Sequence, residues 1–133
     1  MPVVLDASVV AAWAFSDERN ESAKEILFKV RKEGAVAPVL LWYEIRNALV
    51  IAEWRGRILP EESDNFLADL ENLPIEIDDC DYRNIVRLAR VYKLAVYDAT
   101  YLEIALRRSL FLATIDNKLA QAAKATGVGV IPR

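Results

Sequence analysis

Apolar residues follow two different spacings along this chain, and segments with one spacing alternate with segments of the other. Short runs of β-branched and other apolar residues are typical of buried strands, whereas apolar residues three and four positions apart indicate amphipathic helices. The short runs predict strands at residues 3–5, 35–37, 75–77, 111–114 and 128–131. The longer pattern predicts helices at residues 7–15, 21–33, 39–55, 82–92, 96–109 and 117–126, and another that begins at Pro60. A polar turn is expected at residues 16–20.

Strands that alternate with helices form βαβ units, and such units build a parallel sheet with helices on both faces. We therefore expect a three-layer α/β/α fold around a five-stranded parallel sheet. Gly34 and Gly56 follow two of the predicted helices and end them, and Pro60 suits the first position of the next one. No repeat, low-complexity tract or linker interrupts the pattern, so we expect one domain at residues 1–133.

The chain contains no histidine and one cysteine, Cys80. This composition excludes a Ser-His-Asp or Cys-His nucleophilic site, a histidine acid–base pair, His-ligated zinc and an internal disulfide. If the protein is an enzyme, its chemistry must come from carboxylates, hydroxyls, lysine, arginine or a bound metal ion.

The chain is mildly acidic, with 17 lysines and arginines, 20 acidic residues and a formal net charge of −3. This charge argues against binding of nucleic acid over the whole surface, but it leaves room for a local basic patch. Candidates for such a patch are Arg46, Arg55, Arg57, Arg107, Arg108 and Lys118. No apolar run approaches the roughly 18 to 20 residues of a membrane span, and no secretory signal pattern is present, so we expect a soluble, cytoplasmic protein.

Two acidic residues follow predicted strands, at positions where parallel sheets bind ligands. Asp6 comes directly after the first strand and Asp116 shortly after the fourth, and a helix follows each of them. In open α/β sheets, ligands collect beyond the carboxyl ends of the strands. Each aspartate could instead be a helix N-cap, and a cap can also point into a shared cleft. Ser8 and Thr114, each two positions away, could orient these acids or satisfy turn amides.

Two further carboxylates lie on predicted helices that are otherwise apolar. Glu44 shares a stripe with Leu41 and Ala48, where a carboxylate is costly unless it is paired or bound to metal. Asn47, one turn later, could hold Glu44 by a hydrogen bond, and the alternative is a glutamate at the edge of the stripe that reaches water. Asp98 opens its helix, where the helix dipole alone would also favour a negative charge.

Four carboxylates could converge in the fold, namely those of Asp6, Glu44, Asp98 and Asp116. Their mutual repulsion would then oppose folding unless a cation lay among them. An all-oxygen site favours Mg²⁺ or Mn²⁺, and no histidine is present to favour zinc. Such an ion can lower the pKa of bound water for attack on a phosphodiester and can stabilise charge on the leaving oxygen.

Four short motifs in this sequence resemble those of the PIN-domain nucleases and, among them, of the VapC-type toxins of toxin–antitoxin pairs. They are residues 4–8 (VLDAS), 44–49 (EIRNAL), 97–102 (YDATYL) and 112–119 (LATIDNKL), and they occur in family order across nearly the whole chain. The resemblance implies a PIN-like fold and an Mg²⁺- or Mn²⁺-dependent endoribonuclease. By position, it implies catalytic and metal-binding roles for Asp6, Glu44, Asp98 and Asp116, with Ser8, Asn47 and Thr114 as polar supports.

The resemblance also implies partners, namely an RNA substrate, a second copy of the chain in a homodimer, and a small VapB-type antitoxin. Some relatives carry a further acid where this chain has Asn117, so a second metal ion is left open. Trp13, Trp42 and Trp54 lie on predicted helices, and ordinary core packing explains any one of them. Taken together, they indicate grooves for a partner helix or a second subunit.

Other functional classes fit this sequence less well. A haloacid-dehalogenase-type phosphatase needs a second aspartate two residues after Asp6, where Ser8 stands. A response-regulator receiver would need paired acids after the first strand and a phospho-accepting aspartate after the third. A non-catalytic PIN-fold interaction module and a housekeeping RNA-processing nuclease stay open as alternatives, although the former should have lost at least one acid.

Overall fold

Every strand runs parallel to its neighbours in one sheet at the centre of the molecule. The computed structural model describes residues 1–15 and 20–133. The strands follow the order β3-β2-β1-β4-β5, which places β1 in the middle. Their bounds are β1 Val3–Leu5, β2 Ala35–Pro38, β3 Ile75–Asp78, β4 Leu112–Ala113 and β5 Val130–Ile131.

The helices connect these strands and cover both faces of the sheet. Within the described residues they are α1 Ala7–Ala14, α2 Glu21–Glu33, α3 Leu40–Trp54, α4 Pro60–Glu71, α5 Tyr82–Tyr92, α6 Val96–Arg108 and α7 Asn117–Ala125. None of the helices in this part of the chain is long and apolar enough to cross a membrane.

Alternation along the strands divides the core into two layers. Val4, Val36 and Leu112 pack into one cluster with α5, α6 and α7, while Val3 and Leu5 pack into the other with α1, α2 and α3. Successive side chains of a strand point to opposite faces of its sheet, so a strand that is buried on both faces must be apolar throughout. The predicted three-layer α/β/α fold with a five-stranded parallel sheet is confirmed.

All the predicted helices and strands are present, and the largest boundary difference is at β5. Residues 128–131 were expected to be extended, but only Val130 and Ile131 pair with β4. Gly127 takes a left-handed φ of +85°, and the Val128 amide donates to the Ala123 carbonyl at 3.0 Å. Residues 127 and 128 therefore close α7, because the left-handed glycine satisfies the last helix carbonyls.

Side-chain caps begin several helices where the sequence pattern places them. The Asn20 side chain accepts from the Ala23 amide at 3.0 Å and begins α2, and Asp81 accepts from the first amides of α5. Pro60 opens α4, and the Glu62 carboxylate accepts from the Leu59 amide at 3.0 Å. Of the turn expected at residues 16–20, residues 16–19 lie outside the described residues.

A network of ion pairs ties α6 to the edge strand β3. Glu103 is 1% exposed, and Arg107 Nε donates to its Oε1 at 2.6 Å. Arg107 also pairs with Asp78 of β3, and Arg108 pairs with both Glu76 and Asp78. A buried carboxylate is costly without a partner, so Arg107 compensates the charge of Glu103 while it holds the edge strand.

Replacement of Arg107 by alanine should destabilise the fold by about 2 kcal/mol. Removal of one partner of a fully buried pair costs about 3–5 kcal/mol, and the partly exposed position of Arg107 reduces that cost. Urea denaturation at pH 7 measures the change. Arg31→Ala, in the last turn of α2 and without an ion pair within the described chain, is the matched control. The double variant Glu103→Gln/Arg107→Ala should recover part of the loss, and an Arg107→Ala variant as stable as the wild type would contradict the role of this pair.

Candidate active site

Asp6 lies at the carboxyl end of β1, the central strand of the sheet. The chain connects β1 to β2 on one side and pairs it with β4 on the other, so the strand order reverses at β1. Such a switch point opens a crevice beyond the strand ends, where α/β proteins bind ligands. The Asp6 side chain is 4% exposed, so it is buried at this switch point.

Two hydroxyl groups hold the Asp6 carboxylate. Ser8 Oγ and Thr114 Oγ1 donate to Asp6 Oδ2 at 2.6 and 2.8 Å. The same hydroxyl oxygens accept from backbone amides, Ser8 from Ile115 at 3.1 Å and Thr114 from Asp116 at 3.1 Å. Both sequence interpretations therefore apply, because each hydroxyl satisfies a turn amide and orients an acid.

Asp116 and Asp6 differ in how they relate to the helices that follow them. Asp116 is the N-cap of α7, and its Oδ1 accepts from the Leu119 amide at 2.9 Å. Asp6 makes no such capping bond to α1. The capping interpretation is thus correct for Asp116, whereas Asp6 occupies the N-cap position of α1 with its carboxylate held mainly by the Ser8 and Thr114 hydroxyls.

Glu44 projects from the first half of α3 and is half-buried, at the edge of the apolar stripe. Its carboxylate accepts a hydrogen bond from the Tyr101 hydroxyl at 2.6 Å. The sequence suggested Asn47 as this partner, but the Asn47 side chain is exposed and the bond comes from Tyr101 instead. Asn47 is one turn along the helix and rotated outward, whereas Tyr101 is 0% exposed and reaches Glu44 from α6.

Asp98 lies in the first turn of α6 and is partly buried. Tyr101, which donates to Glu44, stands three positions later on the same helix. One helix therefore supplies both a carboxylate and the hydroxyl that holds a second carboxylate.

The four carboxylates form one electrostatic unit. Burial raises the pKa of Asp6, and the charge of Asp116 raises it further, against the hydrogen bonds from Ser8 and Thr114. Burial also raises the pKa of Glu44, and the charges of Asp6 and Asp98 add to this effect, while the bond from Tyr101 opposes it.

Asp98 completes this unit, because burial and then the charges of Asp116 and Asp6 raise its pKa. Lys118 acts in the opposite direction on the Asp98 pKa. Within residues 1–15 and 20–133, no lysine or arginine forms an ion pair with any of the four acids.

An oxygen-only set of carboxylates without a balancing ion pair has the donor chemistry that Mg²⁺ and Mn²⁺ prefer. In the described chain, no three of these four acids bring ligand atoms within 4.8 Å of one another. Mg²⁺ usually keeps several water ligands and binds through one or two carboxylates, so the wider spacing suits a hydrated ion. The residues present therefore fit a divalent cation.

A tighter group of potential ligands lies elsewhere, at Asp78, Cys80 and Glu103, whose ligand atoms approach within 4.8 Å. Burial alone would raise the pKa of Asp78, but hydrogen bonds from the Cys80 amide, Arg107 and Arg108 bring it below its usual value. Burial raises the pKa of the Cys80 thiol to about 11, so it is protonated at neutral pH. Because arginines already neutralise both carboxylates, this group belongs to the ion-pair network and not to a metal site.

Tyr101 is the site residue that sequence reasoning missed. Its position inside a strongly apolar helix is typical of a core aromatic residue, and it is indeed fully buried. The available signal was its place three positions after Asp98, which puts a hydroxyl on nearly the same side of the helix as that acid.

The three tryptophans occupy different environments. Trp13 is partly buried and its Nε1 donates to the Ala23 carbonyl at 2.7 Å, which fastens α1 to α2. Trp42 is partly buried beneath the Arg46 guanidinium, 6.0 Å from its ring centre. Trp54 is 78% exposed at the end of α3.

Comparison with known proteins gives consistent matches along most of the chain. The chain is 29% identical over 125 residues to ribonuclease VapC3 of Pyrobaculum aerophilum, across 91% of this chain and 94% of that protein. A crystal structure of another protein from Pyrobaculum aerophilum superposes with a TM-score of 0.71 at 22% identity, over 98% of this chain and 90% of that one. A toxin–antitoxin complex from Klebsiella pneumoniae gives a TM-score of 0.61 at 19% identity, over 87% of this chain and 88% of that one. The family model of the PIN domain matches residues 3–125. This chain belongs to the PIN domain family.

Proposed function

We propose that this chain is a divalent-metal-dependent endoribonuclease and the toxin of a toxin–antitoxin pair, acting in the cytoplasm. The observation that carries the proposal is the gathering of Asp6, Glu44, Asp98 and Asp116 into one electrostatic unit at a switch point of the sheet. Membership of the PIN domain family and similarity to a protein named ribonuclease VapC3 support the same reaction class.

In this proposal the four acids hold Mg²⁺ or Mn²⁺. When bound, such an ion supplies Lewis acidity at the phosphodiester and activates water for its hydrolysis. Ser8 and Thr114 fix the buried Asp6 carboxylate, and Tyr101 fixes Glu44 from α6. Because hydroxyl donors rather than cations hold these acids, their negative charge stays available to a metal ion.

The proposed partners are RNA, a second copy of the chain and a small antitoxin. A groove of about 450 Å³ between α1 and α2 supports the antitoxin, since Trp13, Phe15, Ala23 and Leu27 give it an apolar lining suited to a helix. The similar structure from Klebsiella pneumoniae is a toxin–antitoxin complex. A homodimer would bury some of the exposed apolar residues of α3, such as Val50 and Trp54.

Asp6→Asn should abolish RNA cleavage while the fold is kept. A catalytic metal contributes several kcal/mol to transition-state stabilisation, and about 1.4 kcal/mol corresponds to tenfold in rate, so the loss should be about 100-fold or more. The assay follows cleavage of a labelled RNA with Mg²⁺ or Mn²⁺, and EDTA should stop the reaction. Asp64→Asn, which alters an exposed carboxylate of α4, is the matched control and should cleave normally.

This experiment also separates the alternative functions. A non-catalytic PIN-fold module would show no cleavage in the wild type under any of these metal conditions. A housekeeping nuclease would cleave RNA but would not arrest growth when its expression is induced. A toxin should arrest growth, lose that effect with Asp6→Asn, and regain viable cells when an antitoxin encoded beside it is co-expressed.

The stability that Asp6, Glu44 and Asp98 contribute to the metal-free protein should be lost as the pH rises above about 4, and Mn²⁺ should restore it. Folding raises the pKa of Asp6, Glu44 and Asp98 above that of an unfolded chain, where aspartate titrates at about 3.9. The stability from these groups is complete below that pH and is lost as the pH rises through the folded pKa values. Thermal unfolding across this range, with and without Mn²⁺, measures the effect.

Asp6→Asn provides the control for that profile. The variant removes a buried charge, so metal-free Asp6→Asn should melt above the wild type at pH 7 and should gain less from Mn²⁺. A wild-type profile that stays flat, or an Asp6→Asn variant that melts below the wild type, would contradict the repulsion between these acids.

Tyr101→Phe should weaken the use of metal without unfolding the protein. Loss of an outer partner that orients a metal-binding carboxylate typically costs about 10- to 100-fold in metal affinity or activity. The measurement is the Mn²⁺ concentration that gives half-maximal cleavage, which should rise, together with the melting temperature. Tyr43→Phe is the control, because Tyr43 lies on the helix of Glu44 but is 68% exposed. Equal metal requirements in both variants would show that the hydroxyl of Tyr101 does not position Glu44.

A further inference from the structure

The outer face of α5 carries a strip of positive charge that the site described above does not use. Arg83, Arg87 and Arg90 stand at positions i, i+4 and i+7 of one helix, and all are exposed. Side chains with this spacing lie on one face. We call these residues the α5 arginine strip.

No acid neutralises this strip within the described chain. The helix Tyr82–Tyr92 contains no aspartate or glutamate, and none of the three arginines forms an ion pair. Some other arginines are neutralised, since Arg46 pairs with Glu71 and Arg107 with Glu103. In a chain of net charge −3, α5 therefore carries three arginines on one face with no acidic residue on the same helix.

The strip also works against the stability of its own helix. Arg83 and Arg87 are like charges four positions apart, which repel on a helix surface. Arg83 lies in the first turn, where the helix dipole disfavours a positive charge. A bound polyanion would remove both penalties.

The position of α5 connects the strip to the candidate active site. A groove of about 350 Å³ runs between α5 and the start of α6, and Tyr82, Val86, Tyr97 and Thr100 are among its lining residues. Tyr97 directly precedes Asp98, and the rings of Tyr82 and Tyr97 are 78% and 63% exposed. Exposed aromatic rings beside a cationic track provide stacking surfaces for unpaired bases.

We infer that the α5 arginine strip binds the phosphate backbone of single-stranded RNA beside the candidate active site, with unpaired bases in the groove between α5 and α6. The inference rests on the proposed function, because it assigns a docking surface to the proposed RNA substrate. RNA is the occupant that the observations favour, because three guanidinium groups without ion pairs match a polyanion and the groove is lined by Tyr97, the neighbour of Asp98.

The test compares two variants of equal net charge. The strip variant removes the three arginines of α5 and is Arg83→Gln/Arg87→Gln/Arg90→Gln. The control variant removes the same charge from the other end of the sheet and is Arg31→Gln/Lys32→Gln/Lys124→Gln. Those control residues lie at the ends of α2 and α7, which precede the first residues of β2 and β5. Binding of a fluorescein-labelled single-stranded RNA is measured in the Asp6→Asn background at several salt concentrations.

The strip variant should bind RNA about tenfold more weakly, or worse, at ~0.15 M salt. Each phosphate contact to a single strand contributes about 0.7 to the slope of log affinity against log salt, so this slope should fall by about 2. The control variant should keep the wild-type slope. A third variant, Arg83→Lys/Arg87→Lys/Arg90→Lys, should also keep the wild-type slope, because lysine retains the charge.

Cleavage kinetics in the active protein separate this inference from the proposed function. The strip variant should raise KM for RNA and leave kcat unchanged. No cleavage by the wild type would refute the nuclease proposal, whereas the salt slopes, measured on an inactive variant, would still test the strip. Equal slopes in the strip and control variants would overturn the inference. The inference would also be overturned if the strip variant lost self-association or antitoxin binding while its RNA affinity stayed unchanged. The strip would then be a protein interface.

Discussion

The mutual repulsion of four carboxylates is the constraint around which this structure is arranged. Asp6 is nearly inaccessible to water, and burial with the charge of Asp116 makes its ionised form costly. A cationic side chain would remove that cost, but it would also occupy the site. The fold uses hydroxyl donors instead, from Ser8 and Thr114 to Asp6 and from Tyr101 to Glu44. These bonds orient the acids without neutralising their charge.

The arginines of the chain follow a complementary arrangement. Arg107 and Arg108 neutralise Glu103, Glu76 and Asp78, so the acids on this side of the fold serve structure. The arginines on α5 have no such ion-pair partners within the described residues, and their helix lines a groove that includes Tyr97, the neighbour of Asp98. The net charge of −3 is therefore a poor guide to the local charge of the surface, because it averages over a neutralised network, a carboxylate cluster and a basic strip.

Most of the fold could be predicted from local patterns. Strands buried on both faces, such as β1, are apolar throughout, and helix ends carry recognisable signals such as Asn20, Pro60 and Gly34. Differences arose where tertiary pairing decides the outcome, as at β5, whose strand extends only as far as β4 offers partners. The match of the PIN domain model confirms the family resemblance that four short motifs carried.

The sequence by itself determined the chemistry that is open to this protein. Without histidine, and with acids after two strands and on two apolar helices, it pointed to an oxygen-only cation site. Only the tertiary structure decided which groups support those acids and which arginines keep their charge. Tyr101 meets Glu44 across 57 residues of sequence, and Arg108 meets Glu76 across 32. Local periodicity determines which side of a helix a residue faces, but the packing of α6 against α3 and β3 determines what that residue touches.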